Sequence, residues 1–79
     1  MSTFLAELYV ASAAPPPALN RVRADEGPAR LLRSLVLPGD ETWFLVFKAR
    51  SAEEVEQLLE RAGVAYERVV SVLEGGETE

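Results

Sequence analysis

The sequence predicts a single α+β domain in which four strands and two helices follow the order β-α-β-β-α-β. Two apolar runs, residues 31–37 and 43–47, flank a turn at Pro38–Asp40 and predict a β-hairpin. A serine followed three residues later by a glutamate, Ser51 and Glu54, predicts the start of a helix directly after that hairpin. Alternating apolar side chains near both ends of the chain predict the two remaining strands. This order is the split βαβ arrangement of ferredoxin-like folds, with two helices on one face of a four-stranded antiparallel sheet.

The first half of the chain predicts a strand and a short helix. Residues 3–10 alternate between two faces and predict the first strand. Three prolines at positions 15–17 lack the N–H that a sheet requires and are better placed at the start of a helix. We expect that helix over residues 17–25, with Leu19 and Val22 facing inward.

The second helix has clear signals at both of its ends. In a capping box, the Ser51 oxygen and the Glu54 side chain each accept a hydrogen bond from a free backbone N–H. Gly63 ends the helix, because glycine tolerates the left-handed conformation of a helix C-terminus. Residues 66–73 predict the last strand, so the domain spans residues 1–74 and a flexible acidic tail covers residues 75–79. The apolar positions between the two ends recur at helical spacing: Ala52, Val55, Leu58, Leu59 and Ala62.

Both faces of the predicted hairpin are apolar, although a strand with one face in water alternates apolar and polar side chains. The two helices can cover only one of these faces, and a chain of 79 residues supplies few elements for the other. A second copy of the chain is therefore the expected cover, which predicts a homodimer with the architecture of a dimeric α+β barrel.

Composition excludes several classes of function. The chain has no cysteine and no histidine, so it lacks Ser-His-Asp and Cys-His catalytic sets and the usual ligands of zinc. Its net charge is −5 and its basic residues are scattered, so we expect no nucleic-acid partner. No leader peptide and no apolar run of about 20 residues is apparent, which predicts a cytoplasmic protein without a membrane partner.

A likeness to a known family rests on a few short pieces of the chain: Arg33-Ser34, Pro38-Gly39-Asp40-Glu41, Ser51-Ala52-Glu53, Ala62-Gly63 and Tyr66-Glu67-Arg68-Val69-Val70, with Glu7 in the first strand. Through these pieces, residues 31–70 resemble a small bacterial ferredoxin-like family of unknown function whose named member is a nickel-binding protein. The resemblance implies the same fold and raises the question of a metal site. Because imidazole and thiolate are absent, we expect no metal and no cofactor in this chain.

Six residues are candidates for a ligand-binding site, and the first three lie in the first two strands. Glu7 and Tyr9 share a face of the first strand, where a carboxylate and a phenol could transfer a proton. The commoner alternative for Glu7 is an ion pair or solvent. Arg33 alternates with Leu31 and Leu35 on an apolar face, where a guanidinium requires either a carboxylate partner or an anionic ligand.

The other three candidates lie in the last two strands. Trp43 and Phe47 share a face and could line an aromatic cavity, although large aromatic residues in small domains are more often core. Tyr66 and Arg68 share a face of the last strand and could hold an anion or form interface hydrogen bonds.

Two functions remain open from the sequence. The favoured one is a non-catalytic homodimeric binding or accessory protein that holds a small apolar or anionic ligand or a metal. The alternative is a cofactor-independent isomerase, cyclase or monooxygenase-like enzyme with its pocket in a dimeric α+β barrel. Convergence of the candidate side chains in one enclosed pocket favours the enzyme, and their separation favours the binding protein.

Overall fold

A computed structural model describes residues 1–10 and 18–73 of the chain. The predicted order of elements is confirmed, with each strand or helix within two residues of its expected bounds. The three prolines at 15–17 and the tail after residue 73 lie outside the described residues. The elements are β1 (Ser2–Tyr9), α1 (Leu19–Ala24), β2 (Arg30–Leu37), β3 (Thr42–Ala49), α2 (Ala52–Ala62) and β4 (Arg68–Val72).

The four strands form one antiparallel sheet in the order β2-β3-β1-β4. The hairpin strands β2 and β3 are neighbours, joined by a single 3-10 turn at Pro38–Asp40. Strand β1 lies between β3 and β4, so β1 and β3 are the central strands and β2 and β4 form the edges. This strand order and the two helices give the predicted ferredoxin-like α+β fold.

Helix α2 is fixed at both ends by the residues that predicted it. The Ser51 hydroxyl accepts the Glu54 N–H at 3.3 Å, while the Glu54 carboxylate accepts the backbone N–H of Arg50 at 2.8 Å. At the other end Gly63 adopts φ 77°, and its N–H bonds to the Glu60 carbonyl. The next N–H, of Val64, bonds back to the helix at 2.9 Å, which completes a Schellman motif.

The hydrophobic core lies between one face of the sheet and both helices. Its sheet side comes from alternate residues of β1 and β3, and its helix side from the inward positions of α1 and α2. Leu19 and Val22 of α1 are buried as predicted. The core residues with essentially no exposure are Ala6, Leu8, Val22, Leu45, Phe47, Ala49, Val55, Leu58 and Leu59.

A β-bulge in β2 changes which side chains share a face. Leu31 pairs with Phe47 of β3, but Arg33 pairs with the adjacent Val46, so Leu32 is an additional residue. Leu31 consequently packs against the core. The expectation that Arg33 shares a face with both Leu31 and Leu35 was wrong for Leu31, because the extra residue reverses the alternation at that point.

Two contacts hold the helices together near their C-termini. The Arg21 guanidinium of α1 donates from Nε to the Ala62 carbonyl at the end of α2, at 2.9 Å. Asp25, just after α1, forms an ion pair with Arg61 of α2 at 3.1 Å. Within residues 1–10 and 18–73, no helix combines the length and the apolar character needed to cross a membrane.

Candidate functional site

The sheet surface opposite the helices, here called the open face, is largely apolar. The pairing register places three leucines, three valines and a phenylalanine on it. Leu35 and Leu37 of β2 are 50% and 46% exposed, although the core face of the same sheet is closed. No element in the described part of the chain covers this surface. The seven apolar side chains are Leu5, Leu35, Leu37, Phe44, Val46, Val70 and Val72.

The open face contains a shallow hollow of about 220 Å³ that crosses all four strands. Arg33 is the one charged residue of its lining, and it makes no hydrogen bond or ion pair with the described residues. The hollow is smaller than ligand pockets usually are, roughly 300 to 1,000 Å³. On a single copy of the chain it is therefore a binding surface rather than an enclosed pocket. The lining residues are Thr3, Leu5, Leu32, Arg33, Leu35, Val46 and Val72.

Glu7 and Arg68 form an ion pair across strands β1 and β4. The two residues are direct partners in the register, and Arg68 Nε lies 2.8 Å from Glu7 Oε1. Both side chains remain partly exposed to water, and ion pairs in such positions contribute little to stability. Glu7 thus has the arginine partner that was the commoner expectation for it.

Tyr9 lies on the open face with Glu7, as predicted, but it has a different partner. Its hydroxyl donates to Glu41 Oε1 at 2.6 Å. This hydrogen bond, followed by the charge of Glu41, raises the pKa of the Tyr9 phenol above its usual value. Glu41 has φ 53°, an uncommon conformation for a residue with a side chain, and its carbonyl accepts the Val10 N–H at 2.9 Å. The two contacts hold the end of β1 to the hairpin turn.

Trp43 and Phe47 belong to the core and do not line the open face. Trp43 is 7% exposed and Phe47 is fully buried among the residues that the helices cover. The Trp43 indole nitrogen is buried and has no hydrogen-bond partner in the described part of the chain. Both residues are therefore core residues, which is the more common role of large aromatic side chains in small domains.

Tyr66 and Arg68 do not share a face, contrary to the expectation from the sequence. Strand β4 begins only at Arg68, and Tyr66 precedes it, packed against the core on the helix side. The Tyr66 hydroxyl donates to Glu60 of α2 at 3.5 Å. Burial, and then the carboxylates of Glu56 and Glu60, raise the pKa of the Tyr66 phenol. The alternation failed because residues 64–66 form a connection rather than part of the strand.

Two interacting residues of this surface were not identified from the sequence. Glu41 contacts Tyr9 because β1 lies beside β3, and this pairing brings the hairpin turn next to Tyr9. Lys48 of β3 lies on the open face and donates to the Thr3 hydroxyl at 3.0 Å. A consistent use of the ferredoxin-like strand order would have placed both residues beside β1.

A second and more polar hollow, of about 600 Å³, lies where α1 leads into β2. Its wall includes Asp25, whose carboxylate accepts the Gly27 N–H at 2.7 Å and pairs with Arg61. The Gly27 hydrogen bond, followed by Arg61, lowers the pKa of Asp25. The Asp25 carboxylate, the Gly27 N–H and the Arg61 guanidinium therefore have their hydrogen-bond partners within this network.

The nickel implied by the resemblance does not fit the side chains of the described residues. Among residues 1–10 and 18–73, no three carboxylates, imidazoles or thiols lie close enough to hold a metal ion. Nickel prefers nitrogen and sulfur ligands to the oxygen donors that this chain offers.

The structure therefore separates the six candidate residues. Four of them, Tyr9, Arg33 and the paired Glu7 and Arg68, lie at different positions on the open face. Trp43 and Tyr66 lie on the opposite side of the sheet. No protein-family model, curated protein or solved structure matches the chain.

Proposed function

We propose that this protein is a non-catalytic binding module that acts as a homodimer, with the open face of its sheet as the surface between two copies. The observation that carries the proposal is the row of half-exposed leucines on a sheet face that the described chain leaves uncovered. Monomeric soluble proteins rarely expose apolar patches larger than a few hundred Å², and such patches usually mark an interaction site.

Burial of this face supplies the free energy for association. Complete burial of a leucine or phenylalanine side chain contributes about 1.5 to 3 kcal/mol. Leu35 and Leu37 each have about half of that still to gain. Because a two-fold axis uses the same patch on both copies, every such contribution is made twice.

The separation of the polar candidates supports binding rather than catalysis. An enzyme of the cofactor-independent type requires an acid or base and a polarising group within reach of one substrate. Glu7 pairs with Arg68, and Tyr9 with Glu41, at the open face, whereas Tyr66 pairs with Glu60 beside the helices. No enclosed pocket in the described residues collects these groups.

The ligand of the module is, in this proposal, small and either apolar or anionic. The hollow at Arg33 is aliphatic apart from that guanidinium and the Thr3 hydroxyl. A second copy across the open face would enclose the hollow, and the guanidinium would then be the group available to an anion.

The oligomeric state tests the proposal. Sedimentation velocity at several micromolar concentrations should give the mass of a dimer for the wild-type chain. Leu35→Glu places a carboxylate in the centre of the apolar row and should give a monomer.

Leu73→Glu is the matched control, because Leu73 is 94% exposed and follows the last strand outside the open face. It introduces the same charge and should leave the dimer intact. Circular dichroism of each variant shows that the monomer is folded. A monomeric wild-type chain, or a Leu35→Glu variant that remains a dimer, would overturn the proposal.

A further inference from the structure

Arg33 belongs to a row of the open face that is otherwise aliphatic. A row here is the set of residues that the register aligns across the sheet. Arg33 of β2 is level with Val46 of β3. Val46 is in turn level with Leu5 of β1, and Leu5 is level with Val70 of β4. The guanidinium is the only polar side-chain group of this row, so an aliphatic strip leads from it across the whole sheet.

The two neighbouring rows offer Arg33 no carboxylate. One of them contains Glu7, which is already bound to Arg68 at 2.8 Å. Glu7 lies on β1, two strands away from Arg33, and two strand spacings are about 10 Å. The other neighbouring row includes Arg30 and Lys48, which carry the same charge as Arg33. Within the described residues, the Arg33 guanidinium therefore has no counter-ion.

A second copy of the chain over this face would take the Arg33 guanidinium out of water. Burial of a charge without a partner is costly, because the charge loses its hydration and gains no hydrogen bonds in return. An anion held in the interface supplies that partner, and a guanidinium binds a carboxylate through two parallel hydrogen bonds. The hollow that Arg33 lines is the place on this face with room for such an anion.

The rest of the hollow is suited to a saturated chain. Five of its seven lining residues are leucine or valine, and Thr3 adds a single hydroxyl. Its volume is about 220 Å³. A methylene group takes up about as much space as a water molecule, whose share of liquid volume is roughly 30 Å³. The hollow therefore has room for about seven such groups.

We infer that this hollow binds a medium-chain aliphatic monocarboxylate, with the carboxylate on the Arg33 guanidinium and the chain along the aliphatic strip. This inference rests on the proposed homodimer and names the class of its ligand. Each copy has one such hollow, so a dimer binds two carboxylates. Binding should also stabilise the dimer, because the hollow excludes water only when the second copy covers it.

Three small molecules separate the contribution of the charge from that of the chain: octanoate, acetate and octanol. Isothermal titration of the wild-type dimer should show saturable binding of one octanoate per copy. Acetate lacks the chain and octanol lacks the charge, so each should bind more weakly by roughly tenfold or more. Hexanoate should bind roughly tenfold more weakly than octanoate, because it buries two fewer methylene groups.

Arg33→Gln removes the charge from the hollow and should leave the fold intact, because Arg33 makes no hydrogen bond or ion pair with the described residues. It should weaken octanoate binding by roughly tenfold or more and leave octanol binding unchanged. Arg30→Gln is the matched control, since it removes the same charge from the same strand outside the lining of this hollow. It should bind octanoate as the wild type does. Circular dichroism shows that both variants are folded.

Several results would overturn this inference and leave the homodimer standing, because sedimentation measures the dimer without any ligand. They are a dimer that binds no octanoate, octanol or acetate that binds as tightly as octanoate, and an Arg33→Gln variant with unchanged affinity. A dimer that dissociates when octanoate is added would also overturn it, because the ligand would then compete with the second copy. A wild-type chain that sediments as a monomer instead removes the homodimer, and this inference with it.

Discussion

The Arg61 guanidinium holds both carboxylate oxygens of Asp25, with Nη2 at 3.1 Å from Oδ1 and from Oδ2, although 36 residues separate the two in sequence. The Gly27 N–H donates to the same carboxylate at 2.7 Å. Together these contacts join the end of α1 to the end of α2. The ion pair requires an ionised Asp25, and the hydrogen bond from Gly27 is stronger to the carboxylate than to the neutral acid, so this junction depends on pH.

We predict that Asp25→Asn reduces the loss of stability in acid. The Gly27 hydrogen bond and Arg61 lower the pKa of Asp25 in the folded protein below its ordinary value of 3.8. A lowered pKa contributes stability that is present above the unfolded value and is lost as pH falls through the folded value. Urea unfolding between pH 6 and pH 2 should show a shallower decline for the variant.

Asp40→Asn is the control for that experiment, because the Asp40 carboxylate makes no hydrogen bond or ion pair with the described residues. Its stability profile should follow that of the wild-type chain. A decline in Asp25→Asn as steep as in the wild type would contradict the assigned role of Asp25.

We predict that Ser51→Ala destabilises the fold by about 1 kcal/mol. The substitution removes the oxygen that accepts the Glu54 N–H at the start of α2. Thermal unfolding measures the change, and Ser71→Ala, in the exposed part of β4, is the matched control with no cap to lose. An unchanged midpoint for Ser51→Ala would mean that the cap contributes nothing.

We predict opposite effects for alanine at two glycines. Gly63 has φ 77°, where a Cβ costs about 1 to 2 kcal/mol, while the nearest side-chain atom to that Cβ, on Arg21, is 3.6 Å away. Gly63→Ala should therefore destabilise through the backbone alone. At Gly39, the Cβ of an alanine would have no neighbouring atom within 4 Å, and the backbone does not have a positive φ. Gly39→Ala should therefore be neutral or slightly stabilising. Urea unfolding of both variants is the measurement, and an equal loss of unfolding free energy in the two would refute this explanation.

We predict that nickel binds no more tightly than roughly tens of micromolar, the range for unorganised oxygen donors. The described residues contain no cluster of three metal-ligating side chains. Isothermal titration on protein without a histidine tag is the measurement, because a tag would supply the missing imidazole. Stoichiometric submicromolar binding would contradict the prediction and direct attention first to Glu7.

Features that depend on neighbours in sequence were predictable. Ser51 and Gly63 cap the two ends of α2 as predicted, because capping involves only residues within one helical turn. The alternation in β3 likewise predicted that Trp43 and Phe47 share a face, and that face is the buried one. The strand order followed from the order of the elements along the chain.

Features that depend on register were not predictable. The Glu7–Arg68 and Tyr9–Glu41 contacts join residues 61 and 32 positions apart, and they form only in this one alignment of β1 with its neighbours. The same holds for the bulge beside Leu32, since no local signal in an apolar run marks which residue will remain unpaired. A shift of one residue moved Leu31 to the core and left Arg33 facing outward.

That bulge also bears on how far copies of the chain can assemble. Strand β2 is a free edge of eight residues, rich in leucine, and such an edge is a template on which sheets can grow without limit. The unpaired residue at Leu32 interrupts the regular spacing of backbone groups, and the opposite edge, β4, offers only five residues. Growth from edge to edge into a fibre is thereby disfavoured at both sides of the sheet. The irregularity that turns Arg33 outward therefore also leaves the long edge of the sheet a poor template for further strands.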